Sequence, residues 1–156
     1  MNKKKNSRKL SMKCFSFFVL IFLLTTSLNA NFSKSGNIVT DNKTSLEWQD
    51  NNDTNSTQYT WQEAIDYCEA LNLDGYSDWR LPNINELKTI IDRNKVRPSI
   101  VNGFEYVGID NVYSYWSSSS VKNEEGYAWI VSFRFGSIHS DGKYDDHYVR
   151  CIRDGE

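Results

Sequence analysis

Residues that bind metals or act as nucleophiles are scarce in this chain. It contains three cysteines and two histidines, His139 and His147, with no CxxC pair and no Cys/His cluster. Structural zinc sites are built from such clusters, so no zinc site is predicted. No cysteine partner is identified for either histidine, and no Ser, His and Asp spacing indicates a catalytic triad. No metal, no cofactor and no catalytic residue are therefore predicted.

A polar stretch at 50–57, DNNDTNST, has only a weak likeness to a calcium-binding loop. It lacks the central glycine and the terminal glutamate of an EF-hand loop. Its richness in Asn and Asp is typical of an irregular connection. We therefore predict a loop without bound calcium.

Positive charge is also scarce beyond the first thirty residues. The chain has 18 Lys and Arg against 20 Asp and Glu, and six of the basic residues lie within the first thirteen positions. All the acidic residues lie beyond position 30, so residues 31–156 carry twelve basic and twenty acidic side chains, a formal charge of −8. This balance disfavours bulk attraction to nucleic acid or to an anionic membrane. An anionic ligand would need a local basic patch.

Residues 1–30 have the pattern of a secretory signal peptide. A basic segment precedes an apolar run at 14–24, which is short for a membrane span, and small and polar residues follow at 25–30. We expect cleavage after Ala30, with cleavage after Ser27 or an uncleaved anchor as alternatives. The protein is thus predicted to be exported, to the periplasm or the cell exterior. It would contact a membrane only through the signal peptide before cleavage.

The remaining residues, 31–156, are enough for one domain with a single core. They retain two cysteines, Cys68 and Cys151. An even number of cysteines in an exported chain indicates one disulfide bond, which would join a helix near the start to a strand near the end. The alternative is two buried free thiols.

The segment 74–87, DGYSDWRLPNINEL, combines a turn, a short extended piece and a helix start. Its Asp-Gly pair indicates a turn, because glycine accepts positive φ. Trp79 and Leu81 then share one face of an extended segment, and Pro82 biases the preceding backbone towards extended geometry. Trp79 is predicted to lie in the core.

The helix start in this segment has a capping-box pattern, with Asn83 as the N-cap and Glu86 three residues later. Arg80 stands between two apolar positions. We predict that Arg80 pairs with Asp78 or Glu86 and fixes the turn against the helix. The alternative is an arginine that binds an anionic ligand.

The other patterns predict an α+β domain. Apolar residues at helical spacing follow Thr60, and no internal repeat is visible. The predicted strands form a hairpin at 38–48 and an antiparallel set at 115–118, 128–133 and 148–153. The five tryptophans are predicted to be mostly core residues: Trp48, Trp61, Trp79, Trp116 and Trp129.

Four segments together resemble the C-terminal domain of the Legionella collagen-like adhesin. They are VTDNKTSLEWQ at 39–49, WQEAIDYCEALNLDGYSDWRLPNINEL at 61–87, YWSSS at 115–119 and YVRCIR at 148–153. The resemblance implies a variant of the C-type lectin-like fold, related in architecture to formylglycine-generating enzymes. Two helices would flank a small twisted antiparallel sheet, and a disulfide would join a helix to the last strand.

The same resemblance implies binding of sulfated glycosaminoglycans and assembly into trimers. The chain has no Gly-X-Y collagen stalk and none of the sugar-binding triplets of calcium-dependent lectins. The leading hypothesis is an exported, non-catalytic module that binds glycans or sulfated polysaccharide through basic and aromatic side chains. The candidate ligand-binding residues are Arg93, Lys95, Arg97, Tyr113, His139 and Tyr144.

Two other functions remain open. One is a structural or protein-binding component of the cell envelope. The other is an enzyme of the formylglycine-generating type, which is disfavoured because that chemistry needs reactive thiols and the predicted disulfide uses Cys68 and Cys151.

Overall fold

The structure is a computed structural model that describes residues 31–109 and 114–155. The signal-peptide prediction concerns residues 1–30 and lies outside the described residues. In chain order the elements are β1 (Phe32–Ser35), β2 (Ile38–Asp41), β3 (Leu46–Gln49), α1 (Asp53–Ser56), β4 (Gln58–Tyr59), α2 (Trp61–Ala70), α3 (Ile84–Thr89), β5 (Tyr115–Val121), β6 (Glu124–Ser132), β7 (Ser137–Gly142), β8 (His147–Tyr148) and β9 (Ile152–Asp154). This is the α+β class that the sequence predicts. None of the described helices is long and apolar enough to cross a membrane.

The strands form two sheets, where one small antiparallel sheet was expected. The first has the order β1-β2-β3-β9, and the second has the order β4-β8-β5-β6-β7. Within the second sheet β5 and β8 are parallel. The cause is the segment 148–153, which is not one continuous strand: it leaves the second sheet after β8 and joins the first sheet as β9. The relation to C-type lectins stays a prediction.

The polar stretch predicted to be a loop contains one helical turn, α1. Thr54 explains the difference, because it is fully buried and its hydroxyl donates to the carbonyl oxygens of Asn51 (2.7 Å) and Tyr106 (2.9 Å). The second of these contacts is made with a residue far along the chain. Local sequence patterns cannot show it.

The core lies on both faces of the second sheet. Trp116 and Ile130 are paired in register on one face and belong to the apolar cluster that includes α2. Tyr115 and Val131 are paired on the other face and belong to the cluster that includes Leu87 of α3. Strand β6 is therefore buried on both sides. The alternation of Ala and Ser with larger residues over 128–133 would by itself favour one face that is markedly more apolar than the other.

The segment 74–87 has the predicted local structure. Asp74 and Gly75 both have positive φ, 51° and 91°, as the turn requires. Trp79 is only 3% exposed, and its indole Nε1 donates to the carbonyl oxygen of Tyr76 at 3.1 Å. Trp48 and Trp116 are also buried, whereas Trp61 and Trp129 are half-buried.

The predicted capping box at Asn83 is present, and a second box caps α2. Asn83 accepts hydrogen bonds from the backbone of α3, and Glu86 accepts one from the backbone N–H of Asn83 at 2.8 Å. Thr60 and Glu63 make the equivalent box at the start of α2. These contacts satisfy N–H groups that a helix leaves without partners at its first turn.

The predicted disulfide between Cys68 and Cys151 is confirmed, with 5.5 Å between the two Cα atoms. It connects the inner face of α2 to the chain between β8 and β9. Both sheets are thereby fixed to the same helix.

Candidate functional site

A groove of about 420 Å³ runs along the outer part of the second sheet. We call it the β7 groove. Its lining includes Ser132, Arg134, Phe135, His139, Asp141 and His147. The strand register explains how these residues meet. Ser137 pairs with Ser132, His139 with Ile130 and Asp141 with Ala128, so alternate residues of β6 and β7 point to the same face.

One end of the β7 groove is cationic and aromatic. Phe135 is 57% exposed, and the guanidinium carbons of Arg134 and Arg97 lie 5.1 and 5.6 Å from its ring centroid. The backbone N–H of Arg97 donates to the carbonyl oxygen of Arg134 at 3.0 Å, which fixes the 93–97 loop beside the strand. We call Arg97, Arg134 and Phe135 the Phe135 cluster.

Arg134 has unused hydrogen-bonding capacity in this cluster. Its Nε is buried and has no hydrogen-bond partner among the described residues. A buried donor without a partner is costly, and such groups often mark the position of a ligand or water.

The opposite end of the groove is formed by a buried histidine and a carboxylate. The Nδ1 of His147 accepts a hydrogen bond from the backbone N–H of Ser114 at 3.0 Å, so Nε2 carries the proton and donates to Asp141 at 3.1 Å. The ring also meets Trp116 edge-on, with centroids 4.6 Å apart. Both ring nitrogens are used, which leaves His147 unable to activate a serine as a general base.

The charges of this pair follow from burial and hydrogen bonding. Burial lowers the pKa of His147 and outweighs the opposing effect of Asp141. Burial tends to raise the pKa of Asp141, but hydrogen bonds from the backbone N–H of Gly142 and from His147 outweigh it, so that pKa is lowered. At neutral pH the groove therefore has a neutral histidine beside an ionised carboxylate.

The three basic side chains of the 93–97 loop do not converge. Lys95 donates to Asn102 Oδ1 at 2.5 Å and to the carbonyl oxygen of Ile100 at 3.2 Å, so it stabilises its own loop. Arg93 is exposed. Of these three side chains, only that of Arg97 belongs to the Phe135 cluster.

The aromatic candidates occupy different places. His139 lines the β7 groove. Tyr144 lines a second groove of about 330 Å³ together with Trp61, Gln62, Glu125 and Lys143, which we call the Tyr144 groove. Tyr113 lies outside the described residues. The structure thus places His139 in the β7 groove, Arg97 against Phe135 at the end of that groove, and Tyr144 in another groove.

Arg80 forms an ion pair with Glu86, in agreement with the prediction that it pairs with Asp78 or Glu86. Its guanidinium donates to both carboxylate oxygens of Glu86, at 2.8 and 2.7 Å, and lies 3.4 Å from Asp154. The hydrogen bonds that Arg80 donates to the Glu86 carboxylate raise the pKa of Arg80. Asp78 pairs with Arg153 instead.

A second arginine, Arg150, was not singled out from the sequence and is fully buried. It donates to the Asp50 carboxylate at 3.0 Å and to the carbonyl oxygens of Gln49 and Tyr106. Lys34 lies 2.6 Å from the same carboxylate. Asp50 is thus saturated by cations and cannot serve the calcium-like role considered for 50–57. No cluster of potential metal ligands occurs within 31–109 and 114–155.

Sequence reasoning also missed Arg134, Phe135 and Asp141. An arginine and an aromatic residue directly before Gly136 were a usable signal, because side chains at a strand end next to a turn are often exposed. The contact of Arg97 with Phe135 had no such signal, since it joins two distant loops.

Comparison with known proteins identifies the family. No curated protein matches the chain significantly. The family model described as the Lcl C-terminal domain matches residues 37–153, which include α2, α3, the disulfide and both sheets apart from β1 and the last residue of β9. Because this match covers most of the chain, the protein belongs to the Lcl C-terminal domain family.

Proposed function

We propose that the protein is an exported, non-catalytic module that binds an acidic glycan, sulfated or carboxylated, at the Phe135 cluster. The observation that carries this proposal is the placement of two guanidinium groups around one exposed aromatic ring at the end of a groove. Arginine binds sulfate and carboxylate groups through paired N–H donors. The exposed ring offers an apolar face to the C–H groups of a sugar.

The charge of the chain makes this cluster distinctive. Residues 31–156 carry a formal charge of −8, so most of the surface repels an anionic polymer. The Phe135 cluster supplies two positive charges at one place, and the buried Nε of Arg134 is a donor without a protein partner among the described residues. An acidic ligand would therefore bind there in one position and not along the whole surface.

Family membership and the cysteines favour a non-catalytic role. Within the described residues, both cysteines are joined in the disulfide. The thiol chemistry of formylglycine-generating enzymes has no free cysteine to use there. His147 has both ring nitrogens engaged, as described above.

A protein-binding envelope component is the second candidate. Val96 is 71% exposed and stands next to Arg97, close to the exposed ring of Phe135. Exposed apolar side chains beside arginine are common at protein interfaces. Capture of one envelope protein by the parent, with no binding of any acidic glycan, would favour this candidate.

The test compares binding to heparin, to polygalacturonate and to neutral dextran by calorimetry at low salt. The double variant Arg97→Ala/Arg134→Gln should weaken binding to the acidic polymers by about tenfold per arginine, because each loses charge-assisted hydrogen bonds. Binding of the parent should also weaken as salt is raised.

Lys43→Ala is the matched control. Lys43 is an exposed cation in the turn between β2 and β3, on the first sheet, and its removal changes the net charge by the same amount as one arginine. This variant should bind like the parent. A loss of binding free energy in Lys43→Ala about half that of the double variant, which removes two charges, would show that binding depends only on net charge and would contradict the proposal.

A further inference from the structure

The turn that carries Tyr144 is fixed in place although its side chain is 92% exposed. The backbone N–H of Lys143 donates to the carbonyl oxygen of Gly126 at 2.8 Å, and the carbonyl of Lys143 accepts from the backbone N–H of Trp61 at 3.1 Å. The ring thus stands on a rigid backbone at the rim of the Tyr144 groove. Because the backbone is already fixed, an exposed ring at this position offers an apolar face to a ligand without the cost of ordering the turn.

The floor of the groove is equally fixed. The ammonium nitrogen of Lys143 lies 4.0 Å above the centroid of the Trp61 ring and donates to Ser120 Oγ at 2.8 Å. The indole Nε1 of Trp61 in turn donates to the carbonyl oxygen of Ser117 at 2.9 Å. An ammonium group has three N–H donors. Among the described residues, the Trp61 ring and Ser120 occupy two of the N–H donors of Lys143, which leaves one for a ligand. The carboxylate of Glu125 provides an acceptor in the same lining.

The surroundings of this groove are acidic, in contrast to the Phe135 cluster. Glu125 and the two aspartates at 145–146 are exposed. Glu63 accepts hydrogen bonds from the side chain and backbone of Thr60, a lining residue, and these lower its pKa. It is therefore ionised at neutral pH. Among the described residues, Lys143 is the one basic residue that lines this groove. An anionic ligand is therefore disfavoured.

We infer that the Tyr144 groove is a second binding site, which takes an uncharged pyranose ring. A pyranose presents C–H groups on one face and hydroxyl groups around its edge. The C–H groups match the ring of Tyr144, and the hydroxyl groups match the donor of Lys143 and the acceptor of Glu125. The groove volume of about 330 Å³ lies in the range of roughly 300–1,000 Å³ that is typical of small-molecule sites. This site does not depend on the acidic-glycan site proposed above.

The experiment uses saturation-transfer NMR of the protein with three neutral probes: methyl glucopyranoside, methyl galactopyranoside and N-acetylglucosamine. At least one should receive saturation and should shift the Trp61 indole resonance, which Trp61→Phe identifies. Tyr144→Ala should lower the association constant for that probe by about tenfold, because the stacking surface is lost. Absence of saturation transfer to all three probes, or an unchanged association constant, would overturn the inference.

Tyr127→Ala is the matched control. Tyr127 is 46% exposed on the adjacent strand β6, and it is not among the described residues that line the Tyr144 groove. This variant should keep the affinity of the parent. Arg97→Ala/Arg134→Gln should also retain neutral-sugar binding, so failure of the Phe135 cluster and failure of the Tyr144 groove give different results. A loss in the Tyr127 control would indicate a non-specific effect and would contradict the inference.

Discussion

The buried environment of Arg150 differs strongly from the solvent-exposed one that a charged guanidinium group favours. It is fully buried, and so is the Asp50 carboxylate that it contacts at 3.0 Å. Burying a charge is costly unless it is paired and hydrogen-bonded. Here the guanidinium also donates to two carbonyl oxygens and lies 4.7 Å from the ring centroid of Phe104. It thereby connects the end of β3, the loop near 104–106 and the segment between β8 and β9.

Replacement of Arg150 by methionine should destabilise the protein by about 3–5 kcal/mol, because it leaves buried acceptors without partners. Urea unfolding followed by tryptophan fluorescence measures this change. Arg93→Met removes an exposed arginine and should change the free energy of unfolding by less than about 0.5 kcal/mol. Similar small changes in both variants would show that the buried network contributes little.

The roles of single residues were predictable where their partners are close in the sequence. Asn83 and Glu86 are three residues apart, and Arg80 is six residues from Glu86, so local patterns identified these contacts. Arg150 and Asp50 are 100 residues apart. Nothing in the local sequence of either residue indicates the other, and the same applies to Arg97 and Phe135.

Helix α2 and the segment between β8 and β9 are joined by the disulfide. The two cysteines are 83 residues apart in the sequence. A crosslink of this length restricts the unfolded chain and contributes about 4.5 kcal/mol on the chain-entropy model. Removal of the bond by reduction, or by Cys68→Ala/Cys151→Ala, should lower the melting temperature markedly. Identical melting curves with and without reductant would contradict this expectation.

The elements themselves were predicted well where their patterns are local. Both capped helices and the β2–β3 hairpin match the sequence periodicity and turn residues. The division of 148–153 between two sheets was not predictable, because alternation shows that a segment is extended but not which strand it pairs with. The β7 groove depends on that division, since it is lined by His147, which belongs to β8 in the second sheet.

For the whole molecule, we predict that acid weakens the fold in two stages. The folded-state pKa of His147 is lowered, so the unfolded chain binds a proton first and stability falls as pH drops below about 6.5. The pKa values of Asp50 and Glu86 are also lowered, against the opposing effect of burial. The stability that these carboxylates contribute is present above about pH 4 and is lost as pH falls through their folded-state values.

The first stage can be separated from the second by substitution. Asparagine at position 147 has an acceptor for the backbone N–H of Ser114 and a donor for Asp141, but it does not titrate. His147→Asn should therefore remove the stability change that begins below about pH 6.5 and leave the acid transition near pH 4. His139→Asn, at the exposed histidine in the same groove, should leave both stages in place. Urea midpoints measured across this pH range give the result.

The division of the C-terminal segment between the two sheets also governs when the protein can fold during synthesis. Strand β8 completes one sheet, β9 completes the other, and Cys151 and Arg150 between them supply the disulfide and the buried charge pair. A chain grows from its N-terminus, so every one of these connections waits for residues 147–154. A nascent chain that ends before them has two incomplete sheets, and its Asp50 lacks the buried guanidinium of Arg150. Until those residues are made, the chain lacks the disulfide, the buried charge pair and the strand that completes each sheet, so we expect it to stay unfolded.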